Sequence, residues 1–493
     1  MTSYWLASHP VAERGVPLLS ASSYDTVVVG AGLTGLTTAV QLARAGRRTC
    51  LVEARTVGAV ATGNTTAKVS LLQGSLLSAV RRRHGDEVLR GYVEANLAGQ
   101  RWLLDFLSEC GVDYQRRPAF SYAQTSGGRE DLEFEHEASV AGGLPVESSA
   151  ETELPYEVAG AIRLADQAQI HPTEVLDALL TQFLASGGVL HTGCRVTDVS
   201  IRRGCRVRTT QGEIECEDLV LATGTPILDR GGHFARLQAQ RSYAVALRAR
   251  GEVPQGMYVS IDSPTRSLRT VPTPDGELLL VGGNGHQVGR EDSPKRRQGE
   301  LLEWAGRHFP GAEATHTWSA QDYRPSADLP LVGELATSGG RVRVATGYHK
   351  WGMTNAVAAA LRLTAGMSGE PPAWATVLDQ AQGSLGLAKV ARFGLEVAAS
   401  ATAGWVKGEV HSLPDEVPAE GSGVVGRLGL RPAARSTVDG LSCTVSAVCP
   451  HLGGILTWND AELSWDCPLH GSRFDAAGKL LEGPAVDDLE VLD

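Results

Sequence analysis

A β-branched apolar run, Thr26-Val27-Val28-Val29, stops at a cluster of glycines, Gly30-Ala31-Gly32-Leu33-Thr34-Gly35. Beyond it Leu36, Ala39, Val40 and Ala43 recur at helical spacing until Gly46. The pattern predicts strand, tight turn and helix, followed by a second strand over 48–52 that ends at Glu53. Residues 1–23, ahead of this unit, read as an irregular arm. From about 75 to 150 the spacing is helical and polar, with a loop-rich stretch at 125–128. Val175, Leu176, Leu179, Leu180 and Phe183 mark a helix over 173–185. Alternating β-branched stretches predict strands at 196–201, 205–210 and 218–222, and further ones at 243–248, 267–272, 277–282 and 341–345. A helix is expected over 353–367. Residues 371–412, with Pro371-Pro372 and a Gly/Ala/Ser-rich stretch, read as a linker, and a β-rich tail starts near 413.

A chain of 493 residues has room for two to four domains with their own cores. The 42% hydrophobic and 20% charged content fits a globular protein and excludes a disordered one. No apolar run approaches the roughly 18 residues of a membrane-spanning helix. The first 15 residues lack the basic and apolar regions of a signal peptide. A cytoplasmic location without a transmembrane segment is therefore expected. The net charge of −11 and the shortness of Arg81-Arg82-Arg83 and Lys295-Arg296-Arg297 argue against nucleic acid as a partner. The eight cysteines are too sparse for a disulfide scaffold, which also suggests a reducing compartment.

Gly30-x-Gly32-x-x-Gly35 sits in the context a dinucleotide fingerprint requires: after a strand, opening a helix, with Glu53 closing the next strand. The first glycine allows the turn, the second admits a pyrophosphate, and the third lets helix and strand pack closely. The helix N-terminus offers N–H groups to the anion, and Glu53 can accept from a ribose hydroxyl. This alone does not separate FAD from NAD. Three later segments are Ala61-Thr62-Gly63-Asn64-Thr65-Thr66-Ala67-Lys68, Leu219-Val220-Leu221-Ala222-Thr223-Gly224, and Asp328-Leu329-Pro330-Leu331-Val332-Gly333 ahead of Ala345-Thr346-Gly347-Tyr348-His349-Lys350-Trp351-Gly352-Met353. With these, residues 24–370 resemble the FAD-dependent oxidoreductases of the D-amino-acid oxidase class, which includes sarcosine and glycine oxidases.

The resemblance implies an α/β chain: a Rossmann-like FAD-binding domain from about 24–80, 155–230 and 325–370, with an inserted α+β substrate domain at about 81–154 and 231–324. It implies that Gly30, Gly32, Leu33, Thr34, Gly35, Glu53 and Arg55 hold the ADP half and that Val196 reaches the adenine through its backbone. Thr62, Lys68, Gly224, Gly347 and Met353 would lie near the ribityl chain or flavin ring. Gly283-Asn284-Gly285 lacks a third glycine in register and reads as a loop of the substrate domain. The segment after the second strand offers Asn64 but no His or Cys, so covalent flavin attachment is not expected.

At the other end, Cys449-Pro450-His451 and Cys467-Pro468-Leu469-His470-Gly471-Ser472 form C-x-H-x15-C-x2-H on Gly/Pro-rich loops. Two Cys and two His can hold zinc. The motif also resembles a Rieske [2Fe-2S] domain, all-β, over 413–493. That resemblance implies that Cys449 and Cys467 bind one iron and His451 and His470 the other, with the histidines facing outward. Replacing two thiolates by neutral imidazoles raises the cluster potential above that of all-cysteine clusters. Gly454 and Leu469 stand where many Rieske domains carry an extra disulfide, and Phe474 stands where high-potential members have tyrosine. Ser472 remains as a hydroxyl donor to a cluster sulfur. A low-to-middle potential for the type is expected. The 23 residues after His470 leave no room in this sequence for the mononuclear-iron domain of a Rieske oxygenase.

Both ends together resemble a bacterial group of flavoproteins with a C-terminal Rieske domain and an early Ser-Tyr-Trp, here Ser3-Tyr4-Trp5. The expected function is oxidation of an amine or amino acid by FAD, with electrons leaving through the cluster to an external acceptor protein. The same cofactors would serve a reductase fed by a donor protein through the cluster, or a redox sensor without turnover. Arg324, His349, Lys350 and Tyr258 are the catalytic candidates, with Arg241, Tyr243, Arg269 and Tyr323 as further substrate-side residues. Arginine suits a carboxylate, and His349 suits proton transfer.

Overall fold

The computed structural model describes residues 1–18, 22–149, 151–228, 232–335, 338–383 and 411–492. Its first sheet runs in the order Leu331–Glu334, Val342–Thr346, Gly212–Leu221, Ser22–Val29, Thr49–Val52, Val189–His191. All neighbours on this path pair in parallel except the first two. Val196–Ile201 and Cys205–Thr209 extend it as an antiparallel pair beside Gly212–Leu221. The strands are buried on both faces and accordingly read as continuous Val/Leu runs. Helices Leu33–Arg44, Pro172–Ala185 and Gly352–Ser368 cover one face.

The second sheet has nine strands and starts at one edge with the long antiparallel trio Glu313–Pro325, Leu237–Arg248 and Gly276–Gln287. It continues through Arg266–Thr273, Met257–Ser260, Gln115–Ala123 and Gly160–Gln169 to Lys68–Val69. Lys68–Val69 and Gly160–Gln169 lie inside the segments expected to bind FAD, yet they hydrogen-bond into this sheet.

Several elements depart from the sequence pattern. The arm is not irregular throughout: Tyr4–Ser8 is a helix capped by Ser3, and Trp5 is completely buried. The stretch at 125–128 begins the helix Ser126–Ala141, because the Thr125 hydroxyl accepts from Gly128 N at 3.0 Å. Gln115–Ala123 is a strand hidden by its charged first half, and it exists through pairing with distant strands on both sides. Within the expected linker, Ala373–Gly383 is a helix that buries Ala375, Leu378 and Ala381. The rest of that linker, 384–410, lies outside the described residues.

The C-terminal domain stacks a three-stranded sheet, Gly423–Leu428, Arg431–Val438 and Leu441–Ser446, near a four-stranded one, Thr457–Asn459, Ser464–Asp466, Arg473–Asp475 and Leu480–Glu482. Trp465, Phe474 and Val445 are fully buried in its core. The tail at 489–492 closes against this three-stranded sheet by Ser446 N to Glu490 O at 2.8 Å and Leu492 N to Thr444 O at 2.9 Å.

This domain is docked on the second sheet. Ser293 Oγ and Lys295 N donate to Asp460 at 2.7 and 2.8 Å. Gln321 Nε2 donates to Gly471 O at 2.8 Å, and Arg195 Nη2 donates to Leu480 O at 3.1 Å. At Gly289, with φ +68°, a Cβ would lie 2.7 Å from Pro468 Cα, so glycine is what lets the ligand loop settle there.

Candidate flavin and iron–sulfur sites

The glycine turn is built by exclusion. A Cβ on Gly35 would stand 1.8 Å from Gly30 O, and one on Gly30 would stand 2.5 Å from Ala222 O. Glu53 braces the turn by accepting from Ala31 N and Arg55 N, both at 2.8 Å. Burial raises its carboxyl above the ordinary range, while those two bonds oppose the shift. Each oxygen keeps a further lone pair for a ribose hydroxyl. Thr62 Oγ1 accepts from Leu33 N at 3.1 Å and ties the next loop to the helix start.

That loop, 61–68, has its backbone clamped from behind. The carbonyls of Gly63, Asn64 and Thr65 accept from Ser3 Oγ, Trp318 Nε1 and Trp5 Nε1 respectively. The carbonyls of Thr66 and Ala67 accept from Arg269 Nη1 at 3.0 and 2.9 Å. The Arg269 guanidinium lies 5.2 Å from the centre of the Trp5 ring, a cation–π contact. Arg269 is therefore a support beneath the loop rather than a substrate contact. Its signal in the sequence was the Ser3-Tyr4-Trp5 arm, whose purpose only the packing reveals.

In front of the loop is a cavity of about 760 Å³. Every residue expected to hold the flavin lines it except Gly35, which lies beneath the turn. Arg324, His349 and Lys350 line it as well. Tyr258 does not. It stacks on Phe120 at 4.5 Å and donates to Glu153 Oε2 at 3.1 Å, and its strand neighbour Val259 faces the cavity instead. Tyr258 is corrected to a core residue.

The polar lining is electrostatically tuned by burial. Lys68 donates to Ser267 Oγ, and desolvation lowers its ammonium from 10.5 to about 7, with Arg269 adding to the effect. His349 is held down to about 3 by burial and by Arg324 and Lys350, so it is a neutral imidazole at physiological pH. Asp322 is raised to about 6 by burial and accepts from Lys350 N. His349 and Lys350 both have left-handed backbones, φ 47° and 71°, which is costly for non-glycine residues and is retained at the cavity wall. Arg324 is half exposed and lies 3.6 Å from Asp328.

The metal motif folds into two matching turns. Gly453 N donates to Cys449 O and Gly471 N to Cys467 O, both at 3.0 Å. Cys449 N and Cys467 N donate across to Gly454 O and Ser472 O at 2.9 and 2.8 Å. The two buried thiols hydrogen-bond each other, which pushes Cys467 well above the ordinary thiol range. The rings of His451 and His470 stand 5.0 Å apart at 88°. Thiols thus pair on one side and imidazoles on the other, which fits two irons bridged by sulfide. Among the described residues no three His, Cys, Asp or Glu converge as a single metal ion requires. Ser472 bonds the Cys449 thiol and accepts from Ala485 N at 3.0 Å. All eight cysteines are free, and Leu469 fills the space beside Gly454 where a disulfide strap was absent from the sequence.

One expectation is overturned here. The histidines do not both face outward: His470 is 6% exposed, edge-on to Phe234 at 5.5 Å, because the flavin domain covers it. His451 stays half-buried beside Leu452, which is 48% exposed. Gln321 Nε2 donates to Gly471 O at 2.8 Å and to the Tyr323 hydroxyl at 3.0 Å, and Gln321 and Tyr323 line the flavin cavity. Leu481, Glu482 and Ala485 of the C-terminal domain line the same cavity. Arg241, a substrate-side candidate, instead lies in the seam between the domains, 1% exposed, with Asp466 at 3.6 Å.

A glycine-turn nucleotide fold with a two-cysteine, two-histidine domain docked against it has the arrangement of a flavin-dependent oxidoreductase with an iron–sulfur domain. Residues 25–365 match the family model described as FAD dependent oxidoreductase, and residues 415–493 match that of the Rieske [2Fe-2S] domain. YhfW of Bacillus subtilis, whose name describes a Rieske 2Fe-2S iron-sulfur protein, is 30% identical over 100% of this chain and 97% of its own. The cytochrome b6-f complex iron-sulfur subunit 1 of Nostoc sp. is 51% identical over 45 residues, 9% of this chain and 25% of that subunit. Glycine oxidase from Geobacillus kaustophilus superposes with TM-score 0.60 at 19% identity, over 72% of this chain and 96% of that one. L-proline dehydrogenase from P. horikoshii does so with TM-score 0.59 at 16% identity, over 72% and 96%. At such identities the structural likeness is one of fold. The chain belongs to the FAD dependent oxidoreductase family and carries a C-terminal Rieske domain; its cofactors are FAD and a [2Fe-2S] cluster. No described helix is long and apolar enough to cross a membrane.

Proposed function

We infer that this chain oxidises a small amine or amino acid and passes the electrons through its Rieske domain to an external one-electron acceptor protein. The observation that carries the reading is the seat of the ligand loop on the cavity wall, with His470 turned inward and His451 toward the surface. FAD supplies two-electron chemistry with a C–H bond next to nitrogen, and the cluster supplies one-electron exchange. The protein's residues supply the rest. Arg324 stands at the cavity wall with half of its side chain exposed, suited to capture a substrate carboxylate. Lys68, its ammonium lowered to about 7 by burial, is about half neutral near pH 7 and in that form can accept a proton from an ammonium substrate. His349, an uncharged imidazole, lines the wall and keeps one N–H donor and one acceptor nitrogen. Arg324 and Lys350 at the wall of the flavin cavity, polar groups suited to a substrate, favour turnover over a plain electron-transfer module. Names of structural neighbours, glycine oxidase, L-proline dehydrogenase and L-amino acid deaminase of Proteus vulgaris, point to the same substrate class.

The test is anaerobic mixing of the holoprotein with a panel of amines and amino acids, followed by absorbance and EPR. The flavin band should bleach first and the reduced cluster signal should follow, with Arg324→Met raising KM for carboxylate-bearing substrates. Bleaching by a reduced ferredoxin or an NAD(P)H-linked reductase, and by no amine, would reverse the direction of flow.

A further inference from the structure

The seam between the domains holds a buried charge cluster that neither domain balances alone. In the Rieske domain Arg473 meets three carboxylates: Glu462 at 3.2 Å, Asp466 at 3.4 Å and Glu482 at 3.7 Å. The four side chains are 4–13% exposed, so water screens them little. One cation against three carboxylates leaves negative charge inside the domain, and Asp466 directly precedes the iron ligand Cys467. The second cation comes from the other domain. Arg241, on the strand Leu237–Arg248, reaches Asp466 Oδ2 at 3.6 Å from a position 1% exposed. Its other contacts hold it in place: Nη1 donates to Ser319 Oγ at 2.7 Å and Nη2 to Gln321 Oε1 at 2.9 Å. Gln321 in turn holds Gly471, the residue after His470. Arg241 is thus oriented by the flavin domain and aimed at the carboxylate beside the cluster.

The geometry points to Arg241 as a positioning residue for the iron–sulfur centre, supplied across the domain seam, whose charge makes the docked cluster a better electron acceptor. A cluster gains negative charge on reduction, and a buried guanidinium nearby stabilises that state more than the oxidised one. Lifting the domain away would remove this cation and leave Asp466 with Arg473 alone. Docking and electron affinity are therefore linked, whichever way electrons flow and whatever the substrate is.

The experiment is an EPR-monitored redox titration of full-length holoprotein carrying Arg241→Met, Arg241→Lys or Asp466→Asn. Arg241→Met should shift the cluster midpoint potential down. Arg241→Lys keeps the charge but cannot keep the forked bonds to Ser319 and Gln321, and should stay near the parent value. Asp466→Asn should shift the potential up, and it decides the matter if Arg241→Met fails to retain its cluster. Unchanged potentials in Arg241→Met and Asp466→Asn overturn the proposal. So does an equal fall in Arg241→Lys and Arg241→Met, since that would mark a role in packing alone.

Discussion

Gln321 Nε2 meets the carbonyl of Gly471 at 2.8 Å, which joins the loop carrying His470 directly to a strand lining the flavin cavity. The same amide donates to Tyr323, whose ring would lie 3.3 Å from a Cβ on Gly224. Cavity wall and ligand loop are therefore consecutive in space, with no solvent gap at this point.

Gln321→Leu removes three bonds, those to Gly471 O, the Tyr323 hydroxyl and Arg241 Nη2, and leaves these groups without that partner. Each unmet buried group costs about 1–3 kcal/mol. Flash reduction of the flavin should then be followed by slower bleaching of the cluster, with the flavin's own spectrum unchanged. An unaltered transfer rate would remove this contact from the electron route.

Cys467→Ala should abolish the cluster's visible and EPR signals while flavin stays bound, because the glycine turn and the clamped loop belong to the other domain. Iron and acid-labile sulfide analysis of the parent protein checks the assignment, and stoichiometric zinc in their place would contradict it.

Trp5 is completely buried, donates to Thr65 O at 2.6 Å and lies against Arg269. Trp5→Ala should cost about 3–5 kcal/mol, the usual range for emptying a large aromatic site. It should also release flavin, as read by fluorescence after gel filtration. Trp5→Phe keeps the ring and loses only the hydrogen bond, so it should fall between the two.

Lys68 carries a pH signature. Its folded value of about 7 lies below the ordinary 10.5 because burial disfavours the ammonium. Between these values the unfolded chain holds a proton that the folded chain lacks, so stability falls as pH drops from 10.5 to about 7 and then levels off. Lys68→Met should flatten this part of the melting-temperature profile. It should also erase an inflection near pH 7 in the rate of flavin reduction by substrate. A parent profile without that inflection would take Lys68 out of proton transfer.

The cofactor ends were legible in the chain because each is a local arrangement. Gly30, Gly32 and Gly35 are dictated by what a single turn can tolerate, and Glu53 closes the very next strand. Cys449, His451, Cys467 and His470 are set on short loops whose spacing is itself the ligand geometry. Leu237–Arg248 and Gly276–Gln287 were seen only in their more apolar halves and Glu313–Pro325 was missed, since Glu313–Pro325 and the start of Leu237–Arg248 become strands by pairing with each other.

Sequence alone thus marked the two redox centres and the scaffold class, because chain-neighbour sterics and donor types are local and the motifs they form carry the family resemblance that names FAD and the [2Fe-2S] cluster. Tertiary structure alone decided that Tyr258 is core, that Arg269 and Trp5 brace a loop, and that Arg241 leaves the substrate side for the seam. It also decided that His470 is covered while His451 stays partly open. Burial and charge balance depend on which distant segments come to rest against one another, and no pattern along a single chain encodes that directly.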